Sequence, residues 1–155
     1  MKIQWKPLLL SIFLPLFIGF LSSKLISNNV ELYNTLILPP FSPPAFLFPI
    51  VWTILYILMG ISSYLIFTSD HPMKNTALVL YGIQLFLNFI WTPIFFGLQM
   101  YGLAFLILVL LFLVVLLMTK KFYTISPIAA FLLIPYILWL VIAGYLNLTI
   151  LLLNS

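Results

Sequence analysis

Long apolar runs separated by short polar clusters are the dominant pattern of this 155-residue chain. The runs cover residues 7–24, 46–68, 76–97, 102–119 and 127–153. Each run is close to the roughly 20 residues that an α-helix needs to cross a bilayer. No run alternates apolar and polar residues at every second position, as the strands of a membrane barrel do. The pattern predicts an all-α integral membrane protein: one domain over residues 1–155, a bundle of five transmembrane helices with a long first loop.

The long first loop is predicted between the first two runs, at residues 26–45. Prolines fix φ and remove backbone donors, so this stretch is expected to be extended and stiff; the prolines concerned are Pro39, Pro40, Pro43 and Pro44. The loop leads directly into an apolar helix that carries Trp52 and Tyr56. Two interpretations follow: a plain connector, or a lid over a site beside that helix.

Composition and charge exclude a soluble domain and give a topology. The chain is 65% hydrophobic and 5% charged, which is more apolar surface than a small soluble fold could bury. One end of the predicted bundle carries Lys2, Lys6, Lys74, Lys120 and Lys121, whereas the other end carries Lys24. Because lysine-rich short loops stay cytoplasmic, the amino terminus is expected inside, with the first loop and the carboxyl terminus outside. Scattered lysines form no basic stripe, so no nucleic-acid partner is expected.

The inventory of reactive side chains is short. The chain has no cysteine and one histidine, His71, which is predicted to lie in a loop. No metal site is expected, because metal sites in proteins need several ligating side chains. Apart from Lys24 at the very end of the first run, the spans hold no carboxylate, lysine or histidine for a proton path or a hydrolytic triad. Redox or photochemistry at a bound pigment is the only chemistry that the residues leave open.

Aromatic and amide side chains recur at helical spacing in three of the spans. Steps of three and four residues place them on one face of each helix, together with Ala143; the aromatic and amide residues are Trp52, Tyr56, Gln84, Asn88, Trp91, Trp139 and Asn147. Buried amides need hydrogen bonds, so Gln84 and Asn88 are expected to face the bundle interior. One interpretation is hydrogen bonding between helices together with interfacial tryptophans. The other is a cavity for a flat apolar molecule with a few polar groups.

Three motifs together resemble the translocator protein family, also called tryptophan-rich sensory proteins or peripheral benzodiazepine receptors. They are PPFSPPAFLFPIVWTILYILMG at 39–60, QLFLNFIWTPIFF at 84–96 and LLIPYILWLVIAGYLN at 132–147. The resemblance implies a homodimer that binds protoporphyrin IX or other flat hydrophobic molecules, with no required cofactor. By position, it implies a ligand site formed by Tyr33, Pro43, Trp52, Tyr56, Asn88, Trp91, Trp139, Ala143 and Leu146.

Three functions follow from the resemblance. The first is binding of a tetrapyrrole to sense or regulate porphyrin or stress metabolism, in the cell membrane of a bacterium. The second is an enzyme that degrades porphyrin oxidatively under light, for which Trp52 and Trp139 would be the catalytic residues. The third is a small-molecule transporter, against which the lack of an internal repeat counts.

The chain departs from the family pattern in the first loop. Leu32, Leu38 and Phe41 stand where the family has a tryptophan, a lysine and a second tryptophan. Loss of the lysine is expected to weaken attraction for porphyrin carboxylates. The sterol motif of animal members needs a basic residue after a tyrosine, and none follows Tyr145. Sterol transport is therefore not expected.

Overall fold

The computed structural model describes residues 2–25 and 36–154. Within these residues there are helices and turns but no strand; the helices are α1 (Trp5–Lys24), α2 (Leu47–Phe67), α3 (Lys74–Thr92), α4 (Tyr101–Ile125), α5 (Pro127–Phe131) and α6 (Ile134–Leu153). Counting α5 and α6 as one crossing, five helical stretches of the described chain are long and apolar enough to span a membrane. The predicted multi-pass, all-α fold is confirmed. Residues 26–35 lie outside the described residues, so the long first loop stays a prediction.

Glycine lets α1 and α2 pack with their backbones close together. Gly60 of α2 is buried, and a Cβ at this position would lie 2.5 Å from Cα of Ile12. A Cβ at Gly19 of α1 would likewise collide with the ring of Tyr56. At the amino-terminal end of α1, the Gln4 N–H donates to the Tyr64 hydroxyl at 2.8 Å. Glycine at both contact positions therefore sets how near the first two helices approach.

Proline changes the course of the third span. Pro93 has no N–H to donate, and the chain continues from α3 as a π-helical turn, Pro93–Gly97. The Leu98 N–H closes this turn on the Pro93 carbonyl at 2.9 Å. Gln99 then adopts a left-handed φ of 55°, and α4 begins two residues later. α3 and α4 pack against each other, as the very short connection predicts.

The last span is two helical segments rather than one. Ser126 caps α5, its hydroxyl accepting from the Ala129 N–H at 3.3 Å. α5 ends at Phe131, and α6 begins at Ile134 with Pro135 in its first turn. Because Pro135 cannot donate to the Phe131 carbonyl, the helix breaks just before it. α4 also extends to Ile125, beyond the predicted end at residue 119.

The buried hydrophobic core is formed by the second to fifth crossings, and α1 packs against it with partly buried side chains such as Leu16 and Ile18. α1 packs on α2 and α3, while α4 packs on α3, α5 and α6. Between α2 and α6 the space is filled mainly by aromatic side chains rather than by close backbone contact. This aromatic region lies toward the end of the bundle where α2 begins and α6 ends.

Candidate functional site

Trp52 of α2 is the centre of an aromatic cluster. Its ring stacks on Tyr56 one helical turn later, with 5.5 Å between centroids. It also meets Trp91 of α3 at 6.5 Å. From α6, Tyr136 and Trp139 contact it edge to face at 6.2 and 6.4 Å. The structure therefore brings the predicted aromatic faces of α2, α3 and α6 together around one half-buried indole.

A cavity of about 820 Å³ lies beside this cluster. The wall from α2 includes Trp52, Thr53 and Tyr56, and α3 and its π-helical turn contribute Thr92 and Phe96. The last residues before α2 form the rim, namely Pro44, Ala45 and Phe46. The volume falls within the roughly 300–1,000 Å³ typical of small-molecule sites. Aromatic walls and a few hydroxyls suit a flat, mainly apolar ligand.

The opposite wall of the cavity comes from α1, which the sequence did not predict as part of the site. This wall consists of Leu16, Gly19, Phe20, Ser22 and Ser23. The Ser22 hydroxyl is buried and donates to the Phe89 carbonyl of α3 at 3.0 Å, which ties the two helices together at this wall. The sequence does carry a sign of this wall: the small residues Gly19, Ser22 and Ser23 are three and four positions apart in a helix that is otherwise bulky and apolar. They permit the close approach of Tyr56 that shapes this wall.

Asn88 and its neighbours form a hydrogen-bond chain behind the cavity. The Tyr56 hydroxyl donates to Asn88 Oδ1 at 2.8 Å, and Asn88 Nδ2 donates to the Tyr136 hydroxyl at 2.9 Å. Tyr136 in turn donates to Gln84 Oε1 at 2.8 Å. Gln84 and Asn88 are 0% and 2% exposed, which confirms that they face the interior. The chain links α2, α3 and α6 and fixes the ring of Tyr56 at the cavity wall.

Trp91 is held in the same way from its other side. Its Nε1 donates to Asn147 Oδ1 at 3.0 Å, and Asn147 Nδ2 donates to the Tyr101 carbonyl at 2.9 Å. Trp91 therefore contacts Trp52 with its ring while its polar atom is used within the bundle. Asn88 and Trp91 are both predicted to bind ligand. In this structure their polar atoms form hydrogen bonds between helices, which agrees with the first interpretation of these residues given above.

Trp139 differs from Trp91 because its polar atom is unused. Its Nε1 is buried and has no hydrogen-bond partner among the described residues. Phe48 and Trp52 line the cavity and also contact the Trp139 ring, at 5.9 and 6.4 Å, so they separate Trp139 from the cavity. A buried N–H without a partner costs about 1–3 kcal/mol. Trp139 Nε1 is thus a buried donor that the described part of the protein leaves unused.

Three of the remaining predicted site residues are described by the structure, and they lie outside the cavity wall. Ala143 and Leu146 are buried on α6. Pro43 is half-buried directly before the rim residue Pro44. Tyr33 lies outside the described residues. The predicted ligand-binding role of all these residues stays a prediction.

The described part of the first loop is tied to the end of α6. The side-chain amide of Asn154 accepts from the Ile37 N–H at 3.1 Å and donates to the Ile37 carbonyl at 3.0 Å. The Tyr145 hydroxyl donates to the Pro40 carbonyl at 3.0 Å. Phe41, between these ties and the rim, is 98% exposed and has a left-handed φ of 65°. Sequence reasoning missed Asn154, because an asparagine just after a helix usually indicates only a helix end.

Comparison with known proteins gives one consistent answer. The model of the TspO/MBR family matches residues 11–153. The "Tryptophan-rich protein TspO" of Chlorobaculum tepidum is 39% identical, over 99% of each chain. The "Translocator protein" of Sus scrofa is 37% identical over 92% of this chain and 87% of its own. "Protein CrtK" of Rhodobacter capsulatus is 38% identical over 79% of this chain and 78% of its own.

Proposed function

Because this chain belongs to the TspO/MBR family, we propose that it is a membrane-embedded binding protein for tetrapyrroles such as protoporphyrin IX and for other flat hydrophobic ligands. Its role is to sense or regulate porphyrin or stress metabolism. The observation that carries the proposal is the cavity of about 820 Å³ beside the Trp52–Tyr56 stack. The site needs no cofactor, and the porphyrin is its ligand.

The walls of the cavity support a flat ligand more than a compact one. The stacked rings of Trp52 and Tyr56 on α2 form a flat part of the wall, and Gly19 lets the α1 backbone lie directly against the Tyr56 ring. A planar macrocycle gains contact area against such surfaces, and aromatic pairs add about 0.5–1.5 kcal/mol beyond burial. The polar groups at the wall are hydroxyls, from Ser23, Thr53 and Thr92 among others. Hydroxyls at the wall suit the one or two polar substituents at the edge of such a ligand.

The experiment is a fluorescence titration of the purified protein in detergent with protoporphyrin IX. The expected result is saturable quenching, weakened about tenfold in Trp52→Ala, because one large aromatic contact is lost. The matched control is Trp5→Ala on the exposed start of α1, outside the cavity, which is expected to leave the affinity unchanged. Non-saturable quenching, or equal weakening in both variants, contradicts the proposal.

A second pair of variants locates the ligand. Ser23→Trp fills the α1 wall of the cavity without touching the core, since Ser23 is exposed. Ala143→Val narrows the space beside Trp139 on α6 instead. Loss of binding in the first alone supports the cavity as the site. Loss in the second alone supports the site implied by position in the family, in which the rings of Phe48 and Trp52 move aside.

Light-dependent degradation of the porphyrin is a second candidate, favoured by the contact between Trp52 and Trp139 at 6.4 Å. Two neighbouring indoles at a pigment site can exchange an electron with an excited ligand. The measurement is loss of pigment absorbance under illumination in air, with a defined product. The expected loss is absent in Trp139→Phe, and equal loss with free tryptophan in place of the protein rules this activity out.

The proposal extends to assembly and placement. We place the protein in the cell membrane of a bacterium as a homodimer, with the amino terminus inside and the first loop outside. The lysine distribution supports the orientation, since five lysines are at the amino-terminal end and one, Lys24, is at the other. Accessibility of single cysteines placed at residues 3 and 154 to a membrane-impermeant thiol reagent tests it, because the parent chain has no cysteine.

A further inference from the structure

A second groove lies at the opposite end of the bundle from the cavity, where α4 ends and α6 begins. It measures about 410 Å³ and is lined from α4 by Lys120, Tyr123 and Thr124, and from the other side by Phe131 and Ile134. We propose that this groove binds the headgroup and upper acyl chain of an anionic phospholipid. The inference is independent of the ligand proposed for the cavity.

The polar wall of the groove follows from helical spacing on α4. Lys120, Tyr123 and Thr124 are three and four residues apart, so they share one face of the helix. Lys120 is exposed, and no described acidic residue forms an ion pair with it. The Tyr123 hydroxyl has no hydrogen-bond partner within the described chain, and the side chain is 56% exposed. An ammonium and a free phenol hydroxyl on one face are suitable donors for a phosphate diester.

The apolar wall gives the groove its lipid character. Phe131 and Ile134 are 58% and 45% exposed, and they follow one another along α5 and the first turn of α6. The ring of Tyr123 meets that of Phe131 edge to face at 6.2 Å, which closes the floor between the two walls. A water-soluble anion would gain no binding energy from this apolar wall. A phospholipid does, since its first acyl carbons lie directly below its phosphate.

The surroundings favour a negatively charged lipid over a zwitterionic one. Within the described residues, this end of the bundle carries five lysines, Lys120 among them, against one acidic residue, Asp70. Each lysine near an anionic membrane surface is worth about 1 kcal/mol. The carbonyl end of α4 opposes an anion here, because a helix carboxyl terminus carries partial negative charge. The positive charge of Lys120 is needed to offset this repulsion and bind the phosphate. Lys120 is therefore the residue to substitute in a test.

The test is native mass spectrometry of delipidated protein given equal amounts of palmitoyl-oleoyl phosphatidylglycerol and phosphatidylcholine. We expect the wild type to retain phosphatidylglycerol in preference. Lys120→Gln is expected to lower that preference about fivefold, the upper end for an exposed ion pair, because the ammonium that contacts the phosphate is lost. Lys121→Gln is the matched control: it changes net charge equally but lies outside the groove, and it is expected to keep the preference. Equal retention of the two lipids, or equal loss in both variants, overturns the proposal.

Two further arms separate a lipid from a free anion. Phe131→Ala removes the apolar wall and is expected to lower retention of both lipids without altering their ratio. Millimolar inorganic phosphate is expected not to displace phosphatidylglycerol. Displacement by phosphate together with no effect of Phe131→Ala identifies a simple anion site and overturns the lipid assignment. Circular dichroism of each variant confirms that the helices are intact, so that a loss of lipid reports on the groove.

Discussion

Two crossings of similar length, α2 and α4, contribute to this molecule in opposite ways. α2 has 21 residues and a mean hydropathy of 2.0, and α4 has 25 residues and a mean hydropathy of 3.1. Side chains of α2 make hydrogen bonds to α3 and α5 and to the residue before α1, through Tyr56, Met59, Ser62 and Tyr64. The two threonine hydroxyls of α4 instead bond within α4, Thr119 to the Val115 carbonyl and Thr124 to the Lys120 carbonyl.

The difference shows that the two helices contribute differently to stability and to the site. Lipid is as apolar as leucine, so helices in a bilayer associate through packing and hydrogen bonds rather than through the hydrophobic effect. α4 relies mainly on packing: its buried side chains are all apolar, and among the described residues α6 bonds to it through the Tyr101 carbonyl, which accepts from Asn147. α2 adds hydrogen bonds that orient Tyr56 and, through the stack, Trp52. Variants of α4 should therefore change stability, and variants of α2 should change both stability and the site.

The largest effect is expected for Gly60→Ala in α2. The new Cβ would lie 2.5 Å from Ile12 Cα and 2.7 Å from the Ser11 carbonyl oxygen, and both atoms are backbone. α1 must therefore shift, which is expected to cost about 3 kcal/mol of stability, the upper part of the range for overpacking. The unfolding midpoint in detergent measures this cost.

Gly102→Ala in α4 is the matched control for that substitution. Its nearest neighbour is Leu151 Cδ1 at 4.0 Å, an ordinary contact with a flexible side chain. It is expected to leave the midpoint unchanged or raise it slightly, because alanine favours helix by about 1 kcal/mol over glycine. A fall of similar size in both variants contradicts close packing at Gly60 as the cause.

The next largest loss of stability is expected for Leu111→Ala in α4. Leu111 is 1% exposed, and its truncation leaves a void among apolar neighbours. We expect a loss of about 2 kcal/mol, the low end for Leu→Ala, because an unfolded helix in lipid is already in an apolar solvent. Leu113→Ala on the same helix, at a position 52% exposed, is expected to have little effect. Porphyrin affinity of the folded protein should not change in either variant; a change would assign α4 a direct role in the site.

A smaller effect on stability is expected for Asn88→Leu. The substitution removes the acceptor of Tyr56 and the donor to Tyr136 while keeping the number of heavy atoms in the side chain. The cost is expected to be about 1 kcal/mol, since hydrogen bonds between membrane helices average well below their value in isolation. Asn75→Leu on the exposed first turn of α3 should cost nothing.

A double-mutant cycle tests whether α2 takes part in that loss. Tyr56→Phe combined with Asn88→Leu is expected to cost less than the sum of the single changes, because both delete the same bond. If the two losses of stability add exactly, the Tyr56 hydroxyl does not contribute to stability through Asn88. Since Tyr56 also lines the cavity, the same variants report whether the network tunes ligand affinity.

The sequence predicted the membrane fold and the interior faces because both follow from periodicity. Runs of apolar residues gave the crossings, and steps of three and four placed Gln84 and Asn88 inside. The α-helix of the third span ends before Pro93, as expected for a residue without an N–H, but the π-helical form of the turn that follows depends on which carbonyl the next N–H reaches. The end of α4 was placed six residues early, because Lys120 and Lys121 suggested the membrane surface although the helix continues past it.

What the sequence could not give is which helices lie next to one another. The stripes on α2, α3 and α6 predicted a site between those helices, and the aromatic cluster is there. The cavity, however, opens on the side of α1, whose contribution depends on small residues rather than on aromatic ones. The tie from Asn154 to Ile37 joins residues 117 positions apart, so no local pattern could reveal it.

The smallest effect is expected for Asn154→Ala, which releases the loop that leads into α2. Two hydrogen bonds to Ile37 are lost, but both are exposed to solvent, so their net worth is modest. We expect the unfolding midpoint to stay the same while protoporphyrin dissociates about threefold faster, since hydrogen bonds of this kind are worth about 1 kcal/mol or less. Stopped-flow recovery of tryptophan fluorescence measures the dissociation rate.

The control for the loop is Thr149→Ala, because the Thr149 hydroxyl bonds only to carbonyls of its own helix, those of Tyr145 and Leu146. Protease cleavage of the ligand-free protein after Phe41 gives a second readout that does not depend on any ligand. Faster cleavage in Asn154→Ala with unchanged dissociation would mean that the loop is tied to α6 without covering the cavity. Unchanged cleavage would mean that the hydrogen bond from Tyr145 to the Pro40 carbonyl is sufficient to hold the loop. The orientation of α2 would then depend on its contacts within the bundle and not on the tie between Asn154 and the loop.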